Sequence, residues 1–245
     1  MDPLLNFTGK RVLVVGGTSG IGNASAQAFR QRGAEVHVWG TRASTADYAD
    51  ETDCEFTGLN YQQMDVSRFY AIEAFQPNFK SLDVLVLSQG LVLYKRKEYE
   101  IDGFQKVLDV NLTSLMACFN KFRSMLEASN GSVIIISSSA AFHATHGNPA
   151  YNASKAGATG LTRTLAQVMA CKNVRVNAIA PGFIPTRMTK ITTENELHRT
   201  NALQRIPMGR FGTPQEMSSI ALFLASPLAS YVTGQTILAD GGLLL

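Results

Sequence analysis

Short apolar runs rich in β-branched residues recur at 12–15, 36–39, 84–87, 133–136, 174–179 and 236–238, unbroken at 12–15, 84–87 and 133–136. Strands wetted on one face alternate apolar with polar positions, whereas unbroken runs are typical of strands covered on both faces of a parallel sheet. Between them, segments at 21–32, 68–75, 103–126, 151–171 and 214–224 carry the apolar spacing of helices and supply the covers. The last opens on Thr213 as N-cap with Pro214 at the first helical position. Strand and helix alternate throughout, so the pattern predicts an α/β fold with a doubly wound parallel sheet, a single domain over 1–245. Residues 44–58, polar and acidic, read as irregular; 181–212 is long for a connection, and 183–212 is expected to be a partly helical substrate lid.

Between the first strand and the first helix stands VLVVGGTSGIG, residues 12–22. Glycines at that place let the backbone turn tightly and approach a pyrophosphate, which free N–H groups of the helix N-terminus then meet. The spacing of Gly16, Gly20 and Gly22 is a wider variant of the dinucleotide fingerprint, with Thr18, Ser19 and Ile21 completing the loop, although an ordinary turn also uses glycine. Read this way, the sheet is Rossmann-type. Gly90 closes the fourth strand beside Ser88, and Asp65-Val66 follows the third, at the carboxyl ends where ligands lie in open sheets. Asp65 is placed either on an adenine amino group or on the turn before Ser67. At the end of the second strand, where a carboxylate would grip the ribose hydroxyls of NAD, stand Gly40, Thr41 and Arg42. A hydroxyl and a guanidinium there favour the 2′-phosphate of NADP(H). NAD(H) stays the alternative, because Asp47, Asp50, Glu51 and Asp53 offset the charge of Arg42.

With 245 residues, 45% hydrophobic and 17% charged, the chain can build one core without disulfides or a structural metal. Cys54, Cys118 and Cys171 are too scattered for a zinc set or a disulfide framework, so no metal is expected. The net charge of +3 is too mild for a duplex-binding surface, and no apolar run approaches membrane-spanning length. The opening MDPLLNFTGKR has no basic region ahead of a long apolar stretch. A cytoplasmic protein with neither nucleic-acid nor membrane partner is expected.

The stretch ISSSAAFHATHGNPAYNASKAG, residues 136–157, sets Tyr151 and Lys155 four apart after serines at a strand end. Positions i and i+4 share a helix face, so the Lys155 ammonium is expected near the Tyr151 phenol, favouring its ionised form. Carbonyl reduction needs a hydride donor, a proton donor and a hydrogen bond to the carbonyl oxygen as it gains charge. Tyr151 and Ser138 suit the last two, with Ser137 and Ser139 as alternatives to Ser138. His146, which follows His143 between serine and tyrosine, reads as a substrate contact or a solvated imidazole. Lys95, Arg96 and Lys97 read as a solvated loop or a contact for an acidic substrate or carrier. Trp39 and Phe142 read as packing, and Met188, Leu197 and Leu203 as pocket wall or core.

Taken together, these motifs closely resemble the short-chain dehydrogenase/reductase family, over nearly the whole chain. GGTSGIG is similar to its cofactor loop, DVNL around Asn111 to a further catalytic element, and Ser138, Tyr151 and Lys155 to its serine, tyrosine and lysine. The resemblance implies Tyr151 as general acid/base, Ser138 orienting the substrate oxygen, and Lys155 binding the nicotinamide ribose while lowering the tyrosine pKa. It further implies that Asn111 holds a water linking Lys155 to solvent, that Pro181-Gly182 forms the nicotinamide-side turn, and that Ile184 and Thr186 address the carboxamide. The 3-oxoacyl-thioester reductases are nearest in general character. Two places depart from the family pattern: Val15 replaces threonine, and Leu87-Ser88-Gln89-Gly90 replaces Asn-Asn-Ala-Gly, which points Gln89 at the adenine ribose.

The expected activity is NADP(H)-preferring interconversion of a ketone and a secondary alcohol in a small-molecule substrate. The alternatives are an NAD-dependent dehydrogenase of a sugar, cyclic alcohol or steroid, and a non-catalytic NADP(H)-binding sensor or scaffold. Surplus apolar positions on 103–126 and 151–171, and the habit of the family, imply a homo-oligomer, dimer or tetramer. Leu243, Leu244 and Leu245 are expected to be buried, at a subunit contact.

Overall fold

The structure, a computed structural model, describes residues 3–245. Seven strands form one sheet among the described residues: β1 (Arg11–Val15), β2 (Glu35–Gly40), β3 (Asn60–Gln63), β4 (Val84–Leu87), β5 (Ser132–Ile136), β6 (Arg175–Pro181) and β7 (Thr236–Ala239). All pair in parallel, in the order β3-β2-β1-β4-β5-β6-β7. The chain winds outward from β1 in one direction and restarts at β4 in the other. Adjacent connections therefore leave on opposite faces, opening a crevice at the carboxyl ends of β1 and β4.

Strands β1, β4 and β5 carry unbroken apolar runs because the sheet has a core on each side. Leu13, Val15, Leu85, Leu87, Val133 and Ile135 enter one core, where they meet Ile72 of α2 (Phe69–Ala74), Phe119 and Phe122 of α4 (Ser114–Ser129), and Leu165 and Met169 of α5 (Pro149–Met169). Their neighbours Val12, Val14, Val84, Val86, Ile134 and Ile136 enter the other, against Phe29 of α1 (Gly20–Arg30) and Met217 and Leu222 of α8 (Pro214–Ala225). Helix α8 starts where its sequence indicates: Thr213 Oγ1 accepts from Glu216 N–H at 3.2 Å, and Glu216 Oε2 accepts from Thr213 N–H at 2.8 Å.

Three elements differ from the pattern. Strand β3, sequence NYQQ, carries no apolar run because it is an edge strand, with side chains largely in solvent. The expected helix over 103–126 is broken into α3 (Ile101–Leu108), a π-turn (Asp109–Thr113) and α4. Within the chain Leu243 and Leu244 are only half buried and Leu245 is fully exposed, so the expected burial of all three is not seen in one copy. Beyond β6, residues 183–212 are partly helical, with α6 (Lys190–Thr193) and α7 (Glu196–Gln204). No described helix is long and apolar enough to cross a membrane.

Candidate active site

The glycine loop runs from the end of β1 into α1, and Gly16 and Gly20 adopt positive φ of 74° and 54°. A Cβ on Gly22 would stand 2.1 Å from the Gly16 carbonyl oxygen and 3.1 Å from Ser88 Oγ, so the helix start lies directly on the loop and on the end of β4. The first-turn amides of α1 have no helical acceptor and are free for an anion. Thr18 is buried, Ile21 partly so, and Ser19, at the N-cap, accepts from Arg187 Nη2 at 2.9 Å. The Thr186 methyl would lie 2.9 Å from a Cβ on Gly20, so the base of the 183–212 segment rests on the glycine loop.

Residues expected at the adenosine end are distributed differently. Thr41 is exposed. Arg42 lies over the Tyr48 ring at 4.4 Å and is bound by the Asp47 carbonyl and the Glu51 carboxylate, which also receives Arg187 at 2.8 Å. Burial pushes the Glu51 carboxyl up, but the two guanidiniums more than offset this and hold it below the usual range. Asp65 accepts from Ser67 N–H at 3.0 Å and Ser67 O–H at 2.7 Å, which makes it the organiser of that turn, and Val66 packs in the core. Gln89 does not face the crevice as expected: it is buried and donates to Ser114 Oγ at 2.9 Å. Glu51, Asp53 and Cys54 bring ligand atoms within 4.8 Å of one another. Glu51 is already committed to two arginines, however, and burial together with Asp53 pushes the Cys54 thiol up to about 11, the opposite of a thiolate ligand.

At the end of β5 the three serines separate by burial. Ser137 donates to the Lys155 carbonyl at 3.1 Å, Ser139 is buried, and Ser138 alone is partly exposed and hydrogen-bonded to the Tyr151 phenol. Burial raises the Tyr151 phenol, Ser138 opposes that, and Tyr94 and Glu98 raise it further. Lys155 Nζ lies 5.6 Å from the centre of the Tyr151 ring and donates to the Ile136 carbonyl at 2.8 Å. The expected depression of the phenol by Lys155 is thus not seen; burial instead brings Lys155 itself down from 10.5 to about 8.

Asn111 is fully buried in the π-turn. Its Oδ1 accepts from Leu91 N–H at 2.7 Å, and its amide donates to the Leu91 carbonyl at 2.8 Å and Ser154 Oγ at 3.1 Å. It joins the loop after β4 to α5. Gly90 faces this group: a Cβ there would lie 3.3 Å from Met188 Cε, 3.8 Å from Lys155 Nζ and 4.0 Å from Asn111 Oδ1. Met188 therefore belongs to the wall of the crevice, Leu203 packs with Ile206 and Phe211, and Leu197 is exposed. Pro181 is buried, Gly182 packs closely on Asp240, and Ile184 is a core residue whose carbonyl accepts from Thr189.

Trp39 is core, but Phe142, expected to pack, is half exposed. His146 is exposed, its carbonyl accepting from Tyr99 Oη at 2.7 Å, and Lys95, Arg96 and Lys97 form an exposed turn. A separate groove of about 440 Å³ between α1, residues 52–55 and α8 holds none of Ser138, Tyr151 or Lys155. Two residues at the crevice went unmarked in the sequence. Arg187 is one; Glu98, buried beside Tyr151 but lying in the charged stretch KRKEYE, is the other.

Folding strips Lys155 of water, and its lowered pKa has a definite sign. Between pH 8 and 10.5 the unfolded chain binds more protons at this site than the folded one, so the penalty is complete below 8 and relieved as pH rises. Lys155→Met is expected to raise unfolding free energy at pH 7 by about 1–3 kcal/mol. The gain should shrink from pH 8 toward 10.5, as read by urea unfolding across pH; a pH-independent difference would contradict it.

The chain matches known proteins over nearly its whole length. A family model described as enoyl-(acyl carrier protein) reductase matches residues 15–244. A 3-oxoacyl-(acyl-carrier-protein) reductase of Chlamydia pneumoniae is 37% identical, covering 98% of each chain. A 3alpha-hydroxysteroid dehydrogenase of Mediterraneibacter gnavus is 36% identical over 95% of this chain and 96% of the other. Among solved structures, the Pseudomonas aeruginosa RhlG/NADP active-site complex superposes with a TM-score of 0.89 at 31% identity, covering 100% of both chains. The two curated relatives are named for different substrates, and with matches this long the chain belongs to the short-chain dehydrogenase/reductase family, oxidoreductases acting on CH–OH and C=O groups.

Proposed function

We propose that the protein is an NADP(H)-preferring reductase that interconverts a ketone and a secondary alcohol, with Tyr151 as general acid/base. The observation that carries this reading is the partly exposed Ser138 hydroxyl bonded to the Tyr151 phenol, with the buried Lys155 ammonium behind the ring. Residues 16–22 fit a dinucleotide, since Gly22 admits no side chain and the first turn of α1 keeps free amides. When bound, the cofactor supplies the hydride.

The protein's own groups do the rest. Ser138 holds the substrate oxygen, Tyr151 delivers its proton as charge develops, and Lys155, with a lowered pKa, replenishes it. Asn111 keeps the floor of the crevice closed by joining Leu91 to Ser154. Gly90, Pro181, Gly182, Ile184 and Thr186 shape the nicotinamide side, and residues 183–212 serve as the lid. Thr41 and Arg42 face the 2′-phosphate, for which Arg42 would exchange the Glu51 carboxylate; Asp65 and Val66 border the adenine. NADP in the complex with RhlG supports the preference. Similarity to 3-oxoacyl-thioester reductases supports a β-ketoacyl thioester as substrate. The exposed apolar side chains Tyr231, Leu245 and Leu238, the last on edge strand β7, support assembly into a homo-oligomer, for which mass by light scattering is the test.

The testing experiment follows NADPH and NADH absorbance with acetoacetyl-coenzyme A, simple ketones, sugars and hydroxysteroids. The expected result is turnover of the thioester with NADPH favoured. NADH preference would remove the role given to Arg42, and cofactor binding without turnover of any carbonyl would favour a sensor.

A further inference from the structure

Glu98 is a fully buried carboxylate placed between two parts of the crevice. Its Oε2 accepts from the Tyr151 N–H at 2.9 Å; its Oε1 accepts from the Leu93 N–H at 2.9 Å and from Asn148 Nδ2 at 3.3 Å. Among the described residues these three N–H donors are its hydrogen-bond partners. Two of them belong to the first turn of α5, and one to the loop that follows β4.

The first amides of a helix lack an acceptor within it, and the N-cap side chain ordinarily supplies one. Here the N-cap, Asn148, makes no such bond; its amide is spent on the Leu93 carbonyl at 3.1 Å and on Glu98. The acceptor comes instead from a residue 53 positions earlier in the chain. A cap needed only for helix stability would be local. This one ties the turn that carries Tyr151 to loop 91–94, and the same loop reaches the far wall, where Tyr94 Oη donates to the Met188 carbonyl at 2.5 Å.

We propose that Glu98 is a positioning residue for the reaction, its carboxylate bridging loop 91–94 and the first turn of α5 so that Tyr151 is fixed against the substrate side of the crevice. This rests on Tyr151 being the acid/base. The charged and titratable groups facing the Tyr151 phenol are Glu98, Tyr94 of the loop, and Lys155 on its own helix. Loss of the Glu98 charge therefore leaves a fingerprint that loss of stability alone does not: the alkaline limb of the reduction, where the phenol ionises, moves to lower pH.

The test compares the NADPH-loaded parent with Glu98→Gln, Glu98→Asp and Tyr151→Phe. Amide hydrogen exchange at residue 151 reads the contact, and NADPH-dependent reduction of acetoacetyl-coenzyme A, or of whichever ketone in the panel turns over, reads the consequence. In Glu98→Gln we expect exchange at 151 to speed up at least tenfold, kcat to fall about tenfold with KM for NADPH within twofold, and the alkaline limb to move acidward. Glu98→Asp should recover part of kcat. A Gln protein that melts earlier but keeps kcat per folded molecule, with its limb unmoved, overturns the proposal. If the Gln protein does not fold, Asn148→Ala keeps the carboxylate but cuts a tie: lower kcat with an unmoved limb supports the proposal, and unchanged kcat overturns it. Turnover surviving in Tyr151→Phe fells the acid/base reading and the proposal with it. Loss in Tyr151→Phe beside full activity in Glu98→Gln fells the proposal alone.

Discussion

Tyr151→Phe is expected to lower kcat for carbonyl reduction by about three orders of magnitude while NADPH binding stays within twofold. The substitution removes one oxygen and leaves the ring, so the packing of α5 and the seat of Lys155 behind the ring persist. What disappears is the proposed proton donor, and general acid catalysis contributes ~10²–10⁴-fold. Ser138, which accepts from Ala140 N–H at 3.1 Å, keeps its proposed hold on the carbonyl oxygen, and residual rate is expected from it. Steady-state absorbance and NADPH fluorescence titration on the same preparation measure the two quantities. A variant with a tenth of parental activity would mean that the proton comes from elsewhere, Tyr94 being the nearby phenol.

The second large effect falls on cofactor binding. In Gly22→Ala the new methyl would sit 2.1 Å from the Gly16 carbonyl oxygen, closer than any real contact, and the obstacle is backbone that cannot swing aside. The loop must open or α1 must retreat, and either movement spoils the aim of the first-turn amides. NADPH affinity is expected to fall about a hundredfold, ~3 kcal/mol, in fluorescence titration. Because the 12–15 run and Phe29 keep their partners in the core, the variant should still fold. Affinity within threefold of the parent would mean that the phosphates bind away from this loop.

Most of this architecture is legible in the sequence for a physical reason. A strand with a core on each face has no freedom to be polar, so the runs at 12–15, 84–87 and 133–136 stand out without alternation. Strand β3 is hidden for the converse reason: as an edge it presents Asn60, Gln62 and Gln63 to water. At the site, Tyr151 and Lys155 are legible because a helix fixes the relation of i to i+4. Glu98 is not, since its partner lies 53 residues away and its neighbours Lys95, Arg96 and Lys97 disguise it as surface charge. Arg42 shows a further limit. Its place after β2 follows from the strand pattern, but its engagement with Glu51 depends on how residues 44–58 fold back, which periodicity does not encode.

The π-turn at Asp109–Thr113 carries a consequence for how such a site is inherited. It holds one residue more than an α-helical turn would, and each residue rotates a helix by about 100°. Losing one position there would let α3 and α4 fuse into a straighter rod with every backbone bond in ordinary register. Asn111, still present by name, would turn away from Leu91 and Ser154. Tolerance of insertions and deletions in this segment is therefore governed by aim instead of by regularity, and a residue count, as much as any side chain, is part of what the chain must preserve.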